Sequence, residues 1–431
     1  MHPLPLLFFL ILTSFCIIQV SSQRPLASIH KDPQTSLYTI TLFTTNPYRY
    51  NLENNNYLIV DINAPFSWDV CSDDDFDPFR RPIDCTSQDC SRGRTYLSPL
   101  CQSNNTLVDG QCICNVTATN PVTNMCASSR LTYKVLITPW TANGDHISGH
   151  IRFDDVCISC APSSFLGSFP NYVRGLASLS WSPLSLTTQL TPSNLELARM
   201  FAICLPGKSW PNGVVFFGDG PYYLMHFPAD IRSILSYTPL IRRDNMSVEY
   251  YIGLEKILVQ GDPLKLKDGT FDFDGSGNGG VMFSTVVPYT ILRSDIYYAF
   301  LKKISKAIHG YPIVDKIHPF GLCFNATKLR PTRVGLPFPR IDLALRNGTS
   351  WPMFGANSLK KVRNGVACLA FVDGGMTAKQ AVVIGSHQME NNFLQFDLDA
   401  SRLGFTSSLL THGTNCGKFN FTSDAPSWPW G

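Results

Sequence analysis

Two well-separated stretches of this chain are built alike, and that duplication constrains the fold more than any other feature. Tyr57-Leu58-Ile59-Val60-Asp61-Ile62-Asn63-Ala64 is an apolar strand ending in an acid. Gly280-Val281-Met282-Phe283-Ser284-Thr285-Val286 is the same kind of strand ending in a hydroxyl. Downstream of each comes a matching apolar segment, Val383-Ile384-Gly385 in the second half and a degraded Gly175-Leu176-Ala177-Ser178 in the first. Two carboxylates at such strand ends could share one proton, one activating water while the other protonates a carbonyl. Ser284 is neutral across the working pH range and cannot hold that proton. The chain carries half of a carboxylate dyad.

The amino-terminal twenty-two residues read as a signal peptide: Leu4 to Val20 is apolar, and Val20-Ser21-Ser22 offers the small residues of a cleavage site before Gln23. No other segment is long and apolar enough to span a bilayer, so the mature protein is expected to be secreted and soluble, with no membrane contact. Its length exceeds one ordinary core and predicts two lobes, 23–230 and 231–431, with the boundary near Phe227–Tyr237. Net charge is only +3, without a dense Lys/Arg stripe, which argues against a nucleic-acid partner.

Of fourteen cysteines, Cys16 lies in the leader. The remaining thirteen, in an oxidising compartment, predict a disulfide framework with one thiol left over. Cys112-Ile113-Cys114 and Cys157-Ile158-Ser159-Cys160 could be read as zinc knuckles, but no Cys/His quartet completes a metal site. No metal or other cofactor is expected. Asn-x-Ser/Thr sequons begin at Asn104, Asn115, Asn245, Asn325, Asn347 and Asn420, so the secreted chain is expected to be a glycoprotein.

Short β-type runs at Leu37–Phe43, Tyr57–Val60, Val214–Phe217, Tyr250–Val259, Val281–Phe283, Ala381–Ile384 and Phe393–Asp397 are separated by Gly, Pro, Asn and Asp clusters. That is an all-β pattern. Apolar spacing predicts a helix over Ser294–Ile308 and a second, shorter one within Thr187–Phe201. Ser72–Ala127, dense in Asp, Ser, Arg and cysteine, reads as a stapled irregular excursion. Its Asp73-Asp74-Asp75-Phe76-Asp77 run lacks calcium-loop spacing and reads as a solvated acidic loop. Arg80, Arg81, Arg242 and Arg243 are expected to be surface charge.

The ordered set of motifs resembles the plant pepsin-fold (A1-type) proteins that lack protease activity: extracellular dermal glycoprotein, basic 7S globulin, and the xylanase and xyloglucanase inhibitors. Its carriers are Lys31-Asp32-Pro33-Gln34-Thr35-Ser36-Leu37-Tyr38, Val60-Asp61 with Trp68 and Cys71, Ser159-Cys160-Ala161-Pro162, and Tyr237-Thr238-Pro239-Leu240. Further on come Pro288-Tyr289-Thr290, Val372-Asp373-Gly374, Val383-Ile384-Gly385-Ser386-His387-Gln388-Met389-Glu390 and Phe419-Asn420-Phe421-Thr422. The resemblance implies a bilobal all-β fold with a few short helices and six disulfides. It implies pairing of Cys323 with Cys368 and of Cys204 with Cys416. Cys157 falls outside that pattern and is the candidate free thiol, the alternative being that Cys157 replaces Cys160 and leaves Cys160 free.

An active relative would carry Asp-Thr-Gly and Asp-Ser/Thr-Gly. Here the triplets are Asp61-Ile62-Asn63 and Ser284-Thr285-Val286. Ile62 removes a buttressing hydroxyl, and Asn63 and Val286 add side chains where glycine is preferred. Ser128-Ser129-Arg130-Leu131-Thr132-Tyr133 replaces the flap signature. Asp272 and Asp274 lie in a Gly-rich loop without the strand a second acid would need. The chain is therefore expected not to be an enzyme, with Asp61 kept as a structural group.

Inhibiting relatives insert second-lobe loops into microbial glycoside hydrolases, whose clefts hold paired carboxylates. The resemblance places Arg333 on the arginine of xyloglucanase inhibitors and His412 on the histidine of xylanase inhibitors; Gly413 stands where the former carry a further arginine. The implied function is inhibition of microbial cell-wall glycoside hydrolases in the apoplast, by a monomer. A first alternative is a basic 7S-like wall or storage protein that binds peptides between its lobes. A second is residual endopeptidase activity, for which Ser284 as nucleophile would lack an adjacent base.

Overall fold

The computed structural model describes residues 23–43, 55–71, 80–98 and 100–423. The expected leader and the Asp73–Asp77 run lie outside those residues. Strands dominate, organised as two lobes of like topology that share one sheet. The fold is bilobal, all-β and pepsin-like, with few helices.

The duplication seen in the sequence is a duplication of topology. In the first lobe the Asn55–Asp61 strand runs parallel to Val173–Ser178, with Ser178 opposite Asp61. Val173–Ser178 also pairs antiparallel with Trp68–Val70. In the second lobe Val281–Phe283 runs parallel to Val382–Ile384, which pairs antiparallel with Thr290–Leu292. In both lobes the chain turns back after the key strand, and a later apolar strand slots between the two. Leu58, Ile59, Val60, Val281 and Phe283 are all buried, which explains why these strands read as continuous apolar runs rather than alternating ones.

The lobes meet in a six-stranded antiparallel sheet. Arg24–Lys31 pairs with Gly213–Phe217, which pairs with Met200–Cys204. Met200–Cys204 crosses to Phe393–Asp397, followed by Arg402–Phe405 and Ser236–Ile241. At the seam the Phe201 and Phe396 rings stack with centroids 4.7 Å apart, and Cys204 is bonded to Cys416. The closing Asn420–Ser423 strand lies parallel to His146–Ile147 of the first lobe.

The helix expected over Ser294–Ile308 spans Ser294–Ala307, burying Ile296, Phe300 and Ile304. The second expected helix is a correction. Only Leu186–Gln189 is α-helical; Pro192 caps a 3₁₀ turn, Glu196 has φ 52°, and Met200 begins a strand. Proline removes a donor and biases its predecessor away from helix. The Tyr250–Val259 run is two strands, Tyr251–Ile252 and Leu254–Val259, with different partners.

The cysteine-rich excursion holds the Gln88–Arg94 helix and a small hairpin, tied by Cys85–Cys112, Cys90–Cys114 and Cys101–Cys126. Cys71 is bonded to Cys160 and Cys323 to Cys368. Cys157 is free and buried. Arg80 is not surface charge: it pairs with buried Asp69 at 2.7 Å, and Lys134 holds the other carboxylate oxygen at 2.7 Å. Among the described residues no group of His, Cys, Asp and Glu could hold a metal ion, and no helix is long and apolar enough to cross a membrane.

Candidate functional site

Asp61 and Ser284 end their strands in related backbone settings. The Asp61 carbonyl accepts from Leu179 N at 3.0 Å, and Ser284 N donates to the Ile384 carbonyl at 3.0 Å. Both side chains are almost fully buried. Asp61 Oδ1 accepts from Asn63 N at 2.8 Å, and Ser284 Oγ accepts from Val287 N at 3.1 Å. Each polar group thus caps the turn that follows its own strand.

Two side-chain donors cross between the strands. Thr285 Oγ1 donates to the Val60 carbonyl at 2.6 Å, and Asn63 Nδ2 donates to the Phe283 carbonyl at 2.8 Å. Val60 precedes Asp61 and Phe283 precedes Ser284, so each bond lands on the same position of the opposite repeat. The Ile62 side chain is fully buried in the core and can make no such bond, but its backbone N–H donates to Thr285 Oγ1 at 3.4 Å. Asn63, expected as a misfit where glycine is preferred, takes over that crossing contact. Its Oδ1 is buried with no hydrogen-bond partner.

Burial pushes the Asp61 carboxyl up to about 6; the Asn63 N–H opposes that rise and the Glu249 charge adds to it. A lone carboxyl in this setting is part-protonated near neutrality. Neither acid of the Gly-rich loop is its partner: Asp272 pairs with Arg346, and Asp274 caps an exposed turn through Ser276 N and Asn278 N. Ser128–Tyr133 forms part of the long Cys126–Thr141 strand.

A second polar cluster ties the lobes together. Lys31 Nζ lies 2.5 Å from Glu390 Oε1, which also accepts from Tyr38 OH at 2.9 Å. His387 Nε2 faces the Leu359 carbonyl at 3.1 Å, so Nδ1 is turned toward Glu390 Oε2 at 3.3 Å. Burial works against the Glu390 charge, yet His387 and Lys31 outweigh it and hold the carboxyl below its ordinary range. Lys31 and Glu390 stand in two separate sequence motifs, and nothing local in either shows that they meet. Their opposite charges were the available signal.

Arg333 stands at the tip of a tight turn. Thr332 N donates to the Gly335 carbonyl at 2.7 Å, and Gly335 N returns to the Thr332 carbonyl at 3.2 Å. Gly335 has φ 97°, and a Cβ there would sit 2.3 Å from Ala356 N, so glycine is required. Ala356 N donates to the Val334 carbonyl at 2.8 Å, fastening the turn to the body. Arg333 is exposed and has no ion pair among the described residues. His412 ends the Leu409–His412 3₁₀ turn, exposed, with its ring edge-on to Phe227 at 5.7 Å. That loop is anchored elsewhere, by Thr414 Oγ1 donating to the Met225 carbonyl and by the Cys204–Cys416 bond.

The sequons differ in environment. Asn104, Asn245, Asn325 and Asn347 are exposed and Asn420 is half-buried. Asn115 is buried, and its Nδ2 donates to the Asn104 carbonyl at 2.8 Å.

Fold and site together define a two-lobed pepsin-type scaffold with a single carboxyl at the centre of its pseudo-symmetry. Family profiles described as Xylanase inhibitor N-terminal and Xylanase inhibitor C-terminal match residues 43–219 and 249–407. The chain is 35% identical to Gamma conglutin 1 of Prunus dulcis over 94% of this chain and 91% of that protein. It is 34% identical to Probable aspartic proteinase GIP2 of Nicotiana benthamiana, covering 85% and 86%. The solved structure of EDGP matches with TM-score 0.84 and 30% identity, over 94% of this chain and 99% of that one. This protein belongs to the xylanase-inhibitor-like family of pepsin-fold proteins.

Proposed function

We propose that the chain is a secreted, proteolytically inactive pepsin-fold glycoprotein that inhibits microbial cell-wall glycoside hydrolases as a monomer. In this reading Ser284 stands where an active relative has its second catalytic aspartate, residues 1–22 are removed, and 23–230 and 231–431 are the two lobes. Without a second carboxylate there is no shared proton with which to activate water and protonate a peptide carbonyl.

The observation that carries the reading is the Arg333 turn. The backbone that carries this unpaired guanidinium is fixed before it meets a partner, so the ordering cost of binding falls on the side chain and not on the loop. A hydrolase cleft with two carboxylates offers the fork-shaped acceptor that a guanidinium fits. His412, on a separately anchored loop, supplies a second contact.

The test is a titration of the mature glycosylated protein against fungal xyloglucan endoglucanases and xylanases, following residual activity. Stoichiometric loss of one activity, weakened at least tenfold by Arg333→Ala or His412→Ala, supports the reading. No loss across the panel overturns it.

One observation favours a second reading, a cleft that binds peptides. Asn63 is part-exposed beside the part-protonated Asp61, and the fold leaves its carboxamide oxygen without a partner, a polar group that a peptide entering between the lobes could reorganise. Binding of a peptide library that Asn63→Ala abolishes, with no hydrolase inhibited, would select this alternative.

A further inference from the structure

Between Lys316 and Phe371 the chain carries nine lysines and arginines against one acid, Asp342, although the whole protein has a net charge of only +3. Asp342 is taken up by Arg340 at 3.0 Å. Arg346 pairs with Asp272. Two of the others, Lys361 and Arg363, line one depression, and Lys328 and Arg330 alternate along the chain with its lining residues Thr327, Leu329 and Pro331.

The loop that starts at Ala326 is tied to the hairpin of Leu359–Arg363 and Val366–Leu369 by Ala326 N donating to the Gly365 carbonyl at 2.7 Å. Between loop and hairpin lies a hollow of about 550 Å³. Leu329, Leu336 and Val366 line it, and Lys361 and Arg363 stand on one bank. Lys328 and Arg330 belong to the opposing loop. All four cations are exposed, and none has an ion pair among the described residues.

Lys361 and Arg363 stand two residues apart on one strand, and the fold keeps these like charges without an ion pair among the described residues. The resulting positive field concentrates anions at the surface. An apolar floor beside a cationic bank suits a linear anion whose rings lie flat and whose carboxylates point outward. Arginine and lysine both serve carboxylates at such a rim. The lining has no aromatic ring on which a nucleobase could stack. The hollow is concave, which suits a single polymer chain better than the face of a folded acidic protein.

We propose that this groove is a binding site for a linear polyuronate, a polysaccharide with one carboxylate per sugar ring. Bound there, the protein would be held on an anionic wall polymer while its other surfaces stay free. The proposal does not depend on the hydrolase reading, because Lys361 and Arg363 lie outside the Arg333 turn.

The test is calorimetric titration of the full mature protein, and of its Asn325→Gln variant that removes the sugar expected beside the lining residues Ala326 and Thr327, with long oligogalacturonate, with its fully methyl-esterified form, and with polyglutamate. The de-esterified oligosaccharide is expected to bind, more weakly as salt rises from about 0.05 to 0.5 M. Esterification should abolish that binding, and polyglutamate should bind at least tenfold more weakly. The Lys361→Ala/Arg363→Ala double variant should lose about tenfold in affinity, while Lys361→Arg should bind as the native protein does. Equal binding of polyglutamate, equal binding of the esterified chain, or an unaffected double variant with native circular dichroism would each overturn the proposal. So would capture of an acidic protein alone.

Discussion

Asn63 donates from Nδ2 to the carbonyl oxygen of Phe283 at 2.8 Å, joining the turn after one repeat strand to the end of the other. Thr285 makes the mirror contact to Val60. The two lobes are therefore latched at the centre of their pseudo-symmetry by an amide on one side and a hydroxyl on the other. A residue that looks like damage to a catalytic triplet carries a structural hydrogen bond.

Each latch should be measurable. Asn63→Ala takes the crossing donor from the Phe283 carbonyl, and Thr285→Val takes a partner from both the Val60 carbonyl and the Ile62 N–H; each variant should cost about 1–3 kcal/mol. Because the bonds span the same pair of strands, the double variant should be non-additive by about 0.5 kcal/mol or more. Urea unfolding of the four proteins would show it. Single losses within the scatter of surface substitutions would show that the crossing bonds do not hold the lobes.

The Asp61 carboxyl predicts a particular pH dependence. Its folded value of about 6 lies above an unfolded value of about 3.9. Between those values the unfolded chain releases a proton that the folded chain keeps, so stability falls as pH rises. The loss reaches up to about 3 kcal/mol, complete above pH ~7. Asp61→Asn should gain that much relative to the native protein at pH 7 and match it near pH 4. The difference between their unfolding curves across this range isolates the Asp61 contribution from other titrating groups.

Glu390 behaves with the opposite sign. Its carboxyl is held low in the folded state, so its stabilising contribution is present above an unfolded value near 4.3 and is lost as pH falls through the folded value. Glu390→Gln strands Lys31 as a buried, unpaired charge and should cost about 3–5 kcal/mol at pH 7. The Lys31→Met/Glu390→Leu double variant should recover much of that loss, since it removes both charges together. Thermal and chemical unfolding at pH 7 would check both. A Glu390→Gln protein as stable as the native one would falsify the ionic tie between the lobes.

Glycan occupancy should follow amide accessibility. The Asn115 side chain is buried and its Nδ2 is already donating to Asn104, so a sugar there would break that bond and force the strand outward. Asn104, Asn245 and Asn325 are exposed. Glycopeptide mapping of protein secreted from plant cells should find sugar on these three and none on Asn115. A substantial Asn115 glycopeptide would contradict this placement.

What was legible in the sequence was what neighbours along the chain decide. The paired strands ending at Asp61 and Ser284 announced themselves by doubly buried apolar runs, and the Ser294–Ala307 helix by its spacing. The expected helix within Thr187–Phe201 failed where Pro192 and the strand partner of Met200 overruled local periodicity. The seam between the lobes was not readable, because Met200–Cys204 pairs with a strand nearly two hundred residues away and nothing local marks the partner. Arg80 shows the same limit: its burial depends on Asp69 and Lys134, which only the folded sheet brings together. Arg333 and His412 were legible as candidates through family likeness. The rigidity of the Arg333 turn, set by Gly335 against Ala356, was not.

The chain's last strand, Asn420–Ser423, lies against a hairpin of the first lobe, and Cys416 is bonded to Cys204 across a separation of 212 residues. As the polypeptide is made from its amino end, the first lobe emerges early but waits for the final stretch before its outer edge is covered and its Cys204 thiol is consumed. A nascent chain cut short before Cys416 carries a reactive sulfur that a complete one does not. In an oxidising compartment that sulfur is a handle for mixed disulfides with folding catalysts, so completion of the polypeptide is written into its redox state before any partner is met.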